Sequence, residues 1–390
     1  MNFKKMAIVV PAITIIGALL LACAKPAPPA PAPAPTPVPA PAPAPIPAPA
    51  QPPAVIRWTV QSKNPTIQPV FASMKKALEE SVKEMTSGGF IITVVEPGSV
   101  VAADGEWDAV QVGTLHGAFT TPVNNKKAFG AVAGLFTEYA ISPNPDAFMA
   151  WYLHGDGLKL QQELIDKTPG YNKVMTLGPF SASGAEVDMV SKRQINTIAD
   201  FKGLKFRAFG DWGKVLTDLG AAVVGMPAGE VYEALQRGVL DACELSDIAT
   251  NVAFGLHEVA KFWYYPGVHA PMATCDFYVN KDEFNKLPPA YQKILREVTK
   301  STLAHNFSMM PVLNAEALPK ALAAGVQLIE TPIEIQAELA KRADALWRSI
   351  GEGDEFFKKV YDNQQAFAQS WAEIYMKMQP NIPMLLAYQK

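Results

Sequence analysis

From Val55 onward, apolar residues alternate between two spacings. Val55 to Val60 and Phe90 to Val95 are short runs rich in β-branched and aromatic residues, and they read as strands. Between them, Gln68 to Met85 sets Phe71, Met74, Leu78, Val82 and Met85 near helical spacing, which gives a helix one apolar face. Ser87-Gly88-Gly89 ends that helix, so the three segments predict a βαβ unit. Asp108 to Val112, Val174 to Leu177, Glu186 to Ser191, Leu204 to Ala208 and Ala242 to Glu244 read as further short strands. Thr197 to Lys202 reads as a short helix entering the Leu204 strand, and Trp212 to Leu219 as one leaving it. Pro227 to Arg237 is a helix opened by proline and closed before Gly238. The far end is helical from about Ile333 to Ile350 and from Asp354 to Met378, interrupted by Gly351 and Gly353. Such alternation predicts an α/β architecture with largely parallel sheets.

The first 54 residues follow other rules. Lys4 and Lys5 precede an apolar run from Met6 to Ala22, a length that suits a signal peptide better than a spanning helix. The run ends at Leu20-Leu21-Ala22-Cys23, which resembles a bacterial lipobox and marks Cys23 for lipidation. Lys25 to Pro53 alternates proline with alanine, leaving no apolar face and few amide donors, so residues 23–54 read as a lipidated cysteine and an extended tether. At about 3.1 Å per residue such a tether reaches roughly 90 Å. The expected location is therefore extracytoplasmic, at the periplasm or cell surface, on a lipid anchor.

About 336 residues remain, enough for two lobes with separate cores. The formal net charge is -3 and no basic stripe suggests nucleic acid. Beyond Cys23 only Cys243 and Cys275 remain, each in an apolar run, so neither a disulfide framework nor a zinc cluster is indicated. No nucleophile elbow, metalloprotease helix, Walker loop or dinucleotide fingerprint is found, and the expectation is a protein that is not an enzyme. His116, His154, His257, His269 and His305 are scattered without metal-ligand spacing.

Two strand ends carry the candidate chemistry. Arg207 closes the run Leu204 to Phe209 beside a glycine-containing turn, at the carboxyl edge where open α/β sheets bind ligands. Its fork suits a small carboxylate, and it equally suits a structural ion pair with Glu or Asp. Glu244 ends the next short strand and needs a bridging cation, a proton or a ligand hydroxyl before it can meet an anion.

With these residues in view, the chain resembles the solute-binding proteins of tripartite ATP-independent periplasmic (TRAP) transporters, the DctP-type receptors. The carriers are Asp108 to Thr114, Asp200 to Arg207, Pro227 with Glu230 to Ala242, and Val279 to Phe284 with Leu287-Pro288, all in the family's order. Lys261 to Gly267 looks like the aromatic-proline-glycine stretch of the branch that binds 2-oxo acids and lactate. The resemblance implies a two-lobed periplasmic-binding-protein fold, type II-like, with a long interlobe helix and C-terminal helices. It implies lobe 1 from 55–177 plus about 270–318, lobe 2 from 178–269 plus about 319–350, and a C-terminal helical segment at 351–390.

The same resemblance implies a receptor that captures a small organic acid, a 2-oxo or 2-hydroxy monocarboxylate, and delivers it to TRAP membrane permease subunits. In that branch the strand-end arginine and a metal ion hold the ligand carboxylate, which assigns Arg207 and Glu244. The branch's glutamine ligand falls on Glu186, a departure, and its common tryptophan on Leu245, whose main-chain carbonyl joins Glu186 and Glu244 as a metal ligand. Two acids converging on a carboxylate require a cation, calcium or sodium, and the extra carboxylate favours the higher charge. Phe119, Trp212, Tyr265 and His269 are candidates for the ligand pocket, with Asp247 near the same edge. The amphipathic stretch from Asp354 to Met378 permits a homodimer. Readings as a sensory lipoprotein or as an extracytoplasmic organic-acid enzyme stand as alternatives.

Overall fold

A computed structural model describes residues 54–102, 104–137, 145–183, 185–270 and 272–378. The predicted leader, Cys23 and nearly all of the tether lie outside the described residues. The first sheet takes the order β2-β1-β3-β10-β4 from β1 (Ile56–Ser62), β2 (Phe90–Val95), β3 (Gly117–Thr120), β4 (Val174–Ala182) and β10 (Thr274–Asn280). The second takes the order β11-β9-β5-β8-β6-β7 from β5 (Met189–Ser191), β6 (Lys205–Arg207), β7 (Ala222–Val224), β8 (Ala242–Cys243), β9 (Phe262–Tyr265) and β11 (Gln327–Glu330).

The sheets are mixed rather than largely parallel. β1 runs parallel to β2 and β3, and β6 parallel to β7 and β8, as consecutive βα units dictate. β10 is antiparallel to both β3 and β4, and β5 is antiparallel to both β8 and β9. The cause is connectivity. The chain leaves the first sheet after β4, enters the second at β5, and returns from β9 to β10, and a strand arriving from the opposite body has no helix crossover to set it parallel. β4 runs on to Ala182 in the first sheet, past the expected changeover at 177.

Two local expectations are corrected. Asp108 to Val112 is not a strand but part of a helix, Glu106–Val112, that buries Glu106, Trp107, Ala109 and Val110 and ends at Gly113 in the left-handed region, φ 82°. Five residues are too few to separate period 2 from period 3.6, and the third strand of the sheet is Gly117–Thr120 instead. In the first helical stretch, Phe71, Met74, Leu78 and Val82 are buried but Met85 is 61% exposed. A turn of π-helix at Ala77–Ser81 rotates the face that follows it.

A helix of 35 residues, Pro289–Ala323, joins the two bodies. Leu295, Val298 and Met310 pack in the core of the first sheet, with Trp58, Phe71 and Phe277, while Ala321 packs in that of the second, with Val190, Leu235 and Trp263. The helices Ile333–Gly353 and Glu355–Met378 fold back on their own chain, where Leu339, Trp347, Phe357 and Tyr361 join a core containing Phe136, Trp151 and Phe206. The last turns leave Ile374, Met376 and Met378 exposed. No helix among the described residues is long and apolar enough to cross a membrane.

Candidate ligand and metal site

Main-chain bonds bring four segments together where the chain passes between the sheets. The parallel register pairs Arg207 with Cys243, and the Glu244 amide donates to the Arg207 carbonyl at 3.2 Å, so both side chains leave the same sheet edge. The Val187 amide donates to the Ser246 carbonyl at 3.1 Å, which ties the β4–β5 crossover beside Glu244. The Glu186 amide donates to the Ala270 carbonyl and the Gly267 amide to the Glu186 carbonyl, both at 3.1 Å. His269 lies between those two bonds and is thereby set against Glu186.

The side chains form one buried cluster. Arg207 Nη1 donates to Glu244 Oε2 at 2.9 Å and also to the Glu244 carbonyl, while Nε donates to the Met226 carbonyl at 3.2 Å. The guanidinium stands 4.4 Å from the centre of the Phe209 ring, and the Phe209 amide donates to Glu244 Oε1 at 3.0 Å. Three of the five guanidinium N–H groups are therefore engaged within the protein, and Nη2 retains its two among the described residues. The ion pair with an acid, one of the two roles expected of Arg207, is present, and Glu244 takes the Nη1 side.

His269 Nε2 and Glu186 Oε2 are 3.1 Å apart, and His269 Nδ1 is 3.6 Å from Asp188 Oδ1, beyond hydrogen-bonding distance. The Trp212 indole stacks on His269 at 5.1 Å and 19°, and its buried Nε1 donor has no partner among the described residues. Burial pushes the Glu186 carboxyl up against the opposing hydrogen bond from His269, and the charges of Glu244 and Asp247 push the same way. Burial alone would lower His269, yet the flanking carboxylates of Asp188, Glu186 and Glu244 outweigh it and hold the imidazole well above its ordinary range.

Glu186, Glu244 and His269 each offer a ligand atom, all within 4.8 Å of one another. Two buried carboxylates are hard oxygen donors, the set that calcium or sodium prefers. Arg207 pairs with Glu244 and His269 with Glu186, but Asp188 and Asp247 add two further acids beside them, so the cluster carries surplus negative charge and fits a cation.

Arg207, Glu186, Glu244, His269 and Trp212 are thus brought together. Two candidates are not. Phe119 is fully buried in the first sheet's core against Phe180 and Phe277, at 5.1 and 5.4 Å, because it alternates inward along β3. Tyr265 ends β9 with 41% of its surface exposed, outside the buried cluster. The Leu245 side chain packs on the second sheet's core, and Asp247 caps the helix Ile248–Ala253 by accepting from the Thr250 amide at 2.9 Å. Sequence reasoning missed Asp188 and Phe209. Asp188, two residues from Glu186 and before β5, was within reach of the period-2 signal. An open groove of about 820 Å³ beside Lys159, Lys167 and Arg296 shares no residue with the cluster.

Residues 61–354 match the bacterial extracellular solute-binding proteins, family 7, named DctP. The chain belongs to that family. It is 32% identical over 312 residues to the monocarboxylate 2-oxoacid-binding periplasmic protein of a Nostoc species, covering 80% of this chain and 84% of the relative. Among solved structures it is similar to a TRAP solute-binding protein from Bordetella bronchiseptica with calcium and picolinate, at 25% identity and TM-score 0.78, covering 86% and 97% of the two chains. A second, from Colwellia psychrerythraea with calcium and pyruvate, matches at 25% identity and TM-score 0.77 over 83% and 98%. A third, from Pseudoalteromonas atlantica with sodium and pyruvate, matches at 25% identity and TM-score 0.75 over 84% and 100%. These likenesses accord with the two-sheet α/β fold and its long helix.

Proposed function

We propose that this DctP-family protein is the receptor of a TRAP transporter, capturing a small monocarboxylate with an oxygen donor on the adjacent carbon and passing it to the membrane permease. The observation that carries the reading is the buried convergence of Arg207, Glu244, Glu186 and Trp212, a cation's donors beside unengaged N–H groups. Pyruvate and picolinate, bound by the similar proteins, share a carboxylate next to a second donor atom. Such a ligand chelates a metal in a five-membered ring. A 2-oxo or 2-hydroxy acid has that form.

Glu186 and Glu244 would hold the cation, with the Leu245 carbonyl completing their side of the shell, and calcium or sodium would supply the positive charge that lets an anion approach two acids. Arg207 Nη2 and Trp212 Nε1 would donate to the ligand, and His269 would orient Glu186. His269 Nε2 stands 3.1 Å from Glu186 Oε2, so it would serve as a positioning residue. Closure would flex the crossovers at 185–188 and 266–270 and the helix Pro289–Ala323. The two lobes would then change over between β4, which ends at Ala182, and β5, which begins at Met189. Cys23 would anchor the body to lipid through the proline-alanine tether, and the exposed end of the last helix would support a homodimer.

Calorimetry of the purified protein against pyruvate, lactate and longer 2-oxo acids, with and without calcium, tests the reading. Tight binding of at least one, with the ligand recovered chemically unchanged, is expected. Binding restricted to sugars or amino acids would overturn it.

A further inference from the structure

Lys126 opens the short helix Lys126–Phe129, which follows β3 of the first sheet, and Asp211 lies in the first turn of the helix Gly210–Asp218, which follows β6 of the second. Lys126 Nζ donates to Asp211 Oδ1 at 2.7 Å. Among the described residues this is the one ion pair that joins the segments building the first sheet to those building the second. Both partners stand beyond the carboxyl ends of their strands. Asp211 also precedes Trp212, whose indole stacks on His269.

The two partners differ in solvent access. The Asp211 side chain is 7% exposed and the Lys126 side chain 33%. Asp211 has a second partner on its own helix, Lys214 at 2.9 Å, so its charge stays matched when Lys126 withdraws. The first body also packs over this carboxylate, since a Cβ placed on Gly134 would sit 3.9 Å from Asp211 Oδ2. An acid that is paired on its own helix and paired again with the other body is suited to reversible contact.

We propose that the Lys126–Asp211 pair is a latch that forms when the two bodies close over the ligand and slows its release. The inference rests on the receptor reading above. Because only the closed state contains the pair, it lowers the apparent dissociation constant by raising the closed fraction, without touching the ligand. A pair with its lysine partly open to solvent is a modest bias, which sets the expected effect at roughly three- to tenfold.

The test compares full-length wild type, Lys126→Met and Lys126→Arg with calcium and pyruvate as the probe. Lys126→Met is expected to release pyruvate roughly three to ten times faster, with association unchanged and the ligand-free melting temperature unmoved. Lys126→Arg is expected to restore slow release. A release rate within twofold of wild type in Lys126→Met overturns the latch, as does an equal fall in the ligand-free and loaded melting temperatures, the mark of a merely structural pair. A defect seen only with ligands bearing a second carboxylate also overturns it, because Lys126 would then be touching ligand. Small-angle scattering distinguishes failure of the receptor reading from failure of the latch. Wild type that does not compact with pyruvate or any other screened acid contradicts the receptor reading and the latch together, whereas normal compaction with unaltered release in Lys126→Met removes the latch alone.

Discussion

Replacing Arg207 by lysine keeps the charge opposite Glu244 and removes the geometry. In the wild-type arrangement the guanidinium serves Glu244 Oε2, the Glu244 carbonyl and the Met226 carbonyl from one side, and keeps the Nη2 donors for a ligand. A lysine ammonium has three donors on one nitrogen and cannot span the same positions. With Glu244 only 7% exposed, the ammonium is held by that carboxylate, which leaves the ligand without its donor. Losing one charge-assisted hydrogen bond to an anion corresponds to about 1.5–3 kcal/mol, or roughly 10- to 150-fold in affinity. Calorimetry with pyruvate and calcium measures the ratio, and a melting curve checks that the fold survives. Arg207→Lys binding within twofold of wild type, in a protein with a normal melt, would refute the assignment of Nη2 to the ligand.

Other perturbations probe separate parts of the account. Trp212→Phe preserves the stack on His269 but deletes the unpartnered Nε1 donor, so affinity should fall about 2- to 12-fold with stability unchanged, and an unchanged dissociation constant would take the indole out of the site. Gly267→Ala would place a Cβ 2.4 Å from the Glu186 carbonyl oxygen, so the strap holding Glu186 must move; a loss of about 1–3 kcal/mol in stability and weaker ligand binding are expected by denaturation and calorimetry. Asp276 is buried on β10, and burial pushes its carboxyl up to about 6, against hydrogen bonds from Gln161, Tyr278 and Thr274 and the charge of Lys63. The folded state therefore binds this proton more tightly than the unfolded chain does, a stabilisation that is full below about pH 4 and is lost as pH rises through 6. Asp276→Asn should remove roughly 2–3 kcal/mol of the change in stability between pH 4 and 7, and identical pH profiles for the two proteins would contradict the shift.

Much of this was legible in the chain, for identifiable reasons. The β-branched runs at Phe90 to Val95 and the apolar helix face at Phe71, Met74, Leu78 and Val82 carry their own period, and the structure keeps them. Arg207 and Glu244 were found because a charged residue closing an apolar strand is conspicuous, and parallel pairing of β6 with β8 then sets them side by side. The meeting of Glu186 with His269 depends on bonds between segments 83 residues apart, which no local window contains. The segment Asp108–Val112 reads as a strand because Val110 and Val112 flank Gln111 at strand spacing, whereas Val112 is exposed and the buried helix face runs through Glu106, Trp107, Ala109 and Val110. Phe119 is a candidate pocket wall only as an aromatic residue, and its sequence neighbourhood does not show that it sits on a strand whose residues are all buried. Lys126 with Asp211 gave no signal at all, since each is an ordinary surface charge until the two sheets face each other.

The account is tested most directly by titrating pyruvate into the protein in sodium-free buffer before and after exhaustive chelation. If Glu186 and Glu244 are held together by a cation that carries the ligand's carboxylate, chelation should weaken binding at least about a hundredfold and added calcium should restore it, as expected when two buried acids are left facing an anion. Affinity unchanged by chelation would contradict it.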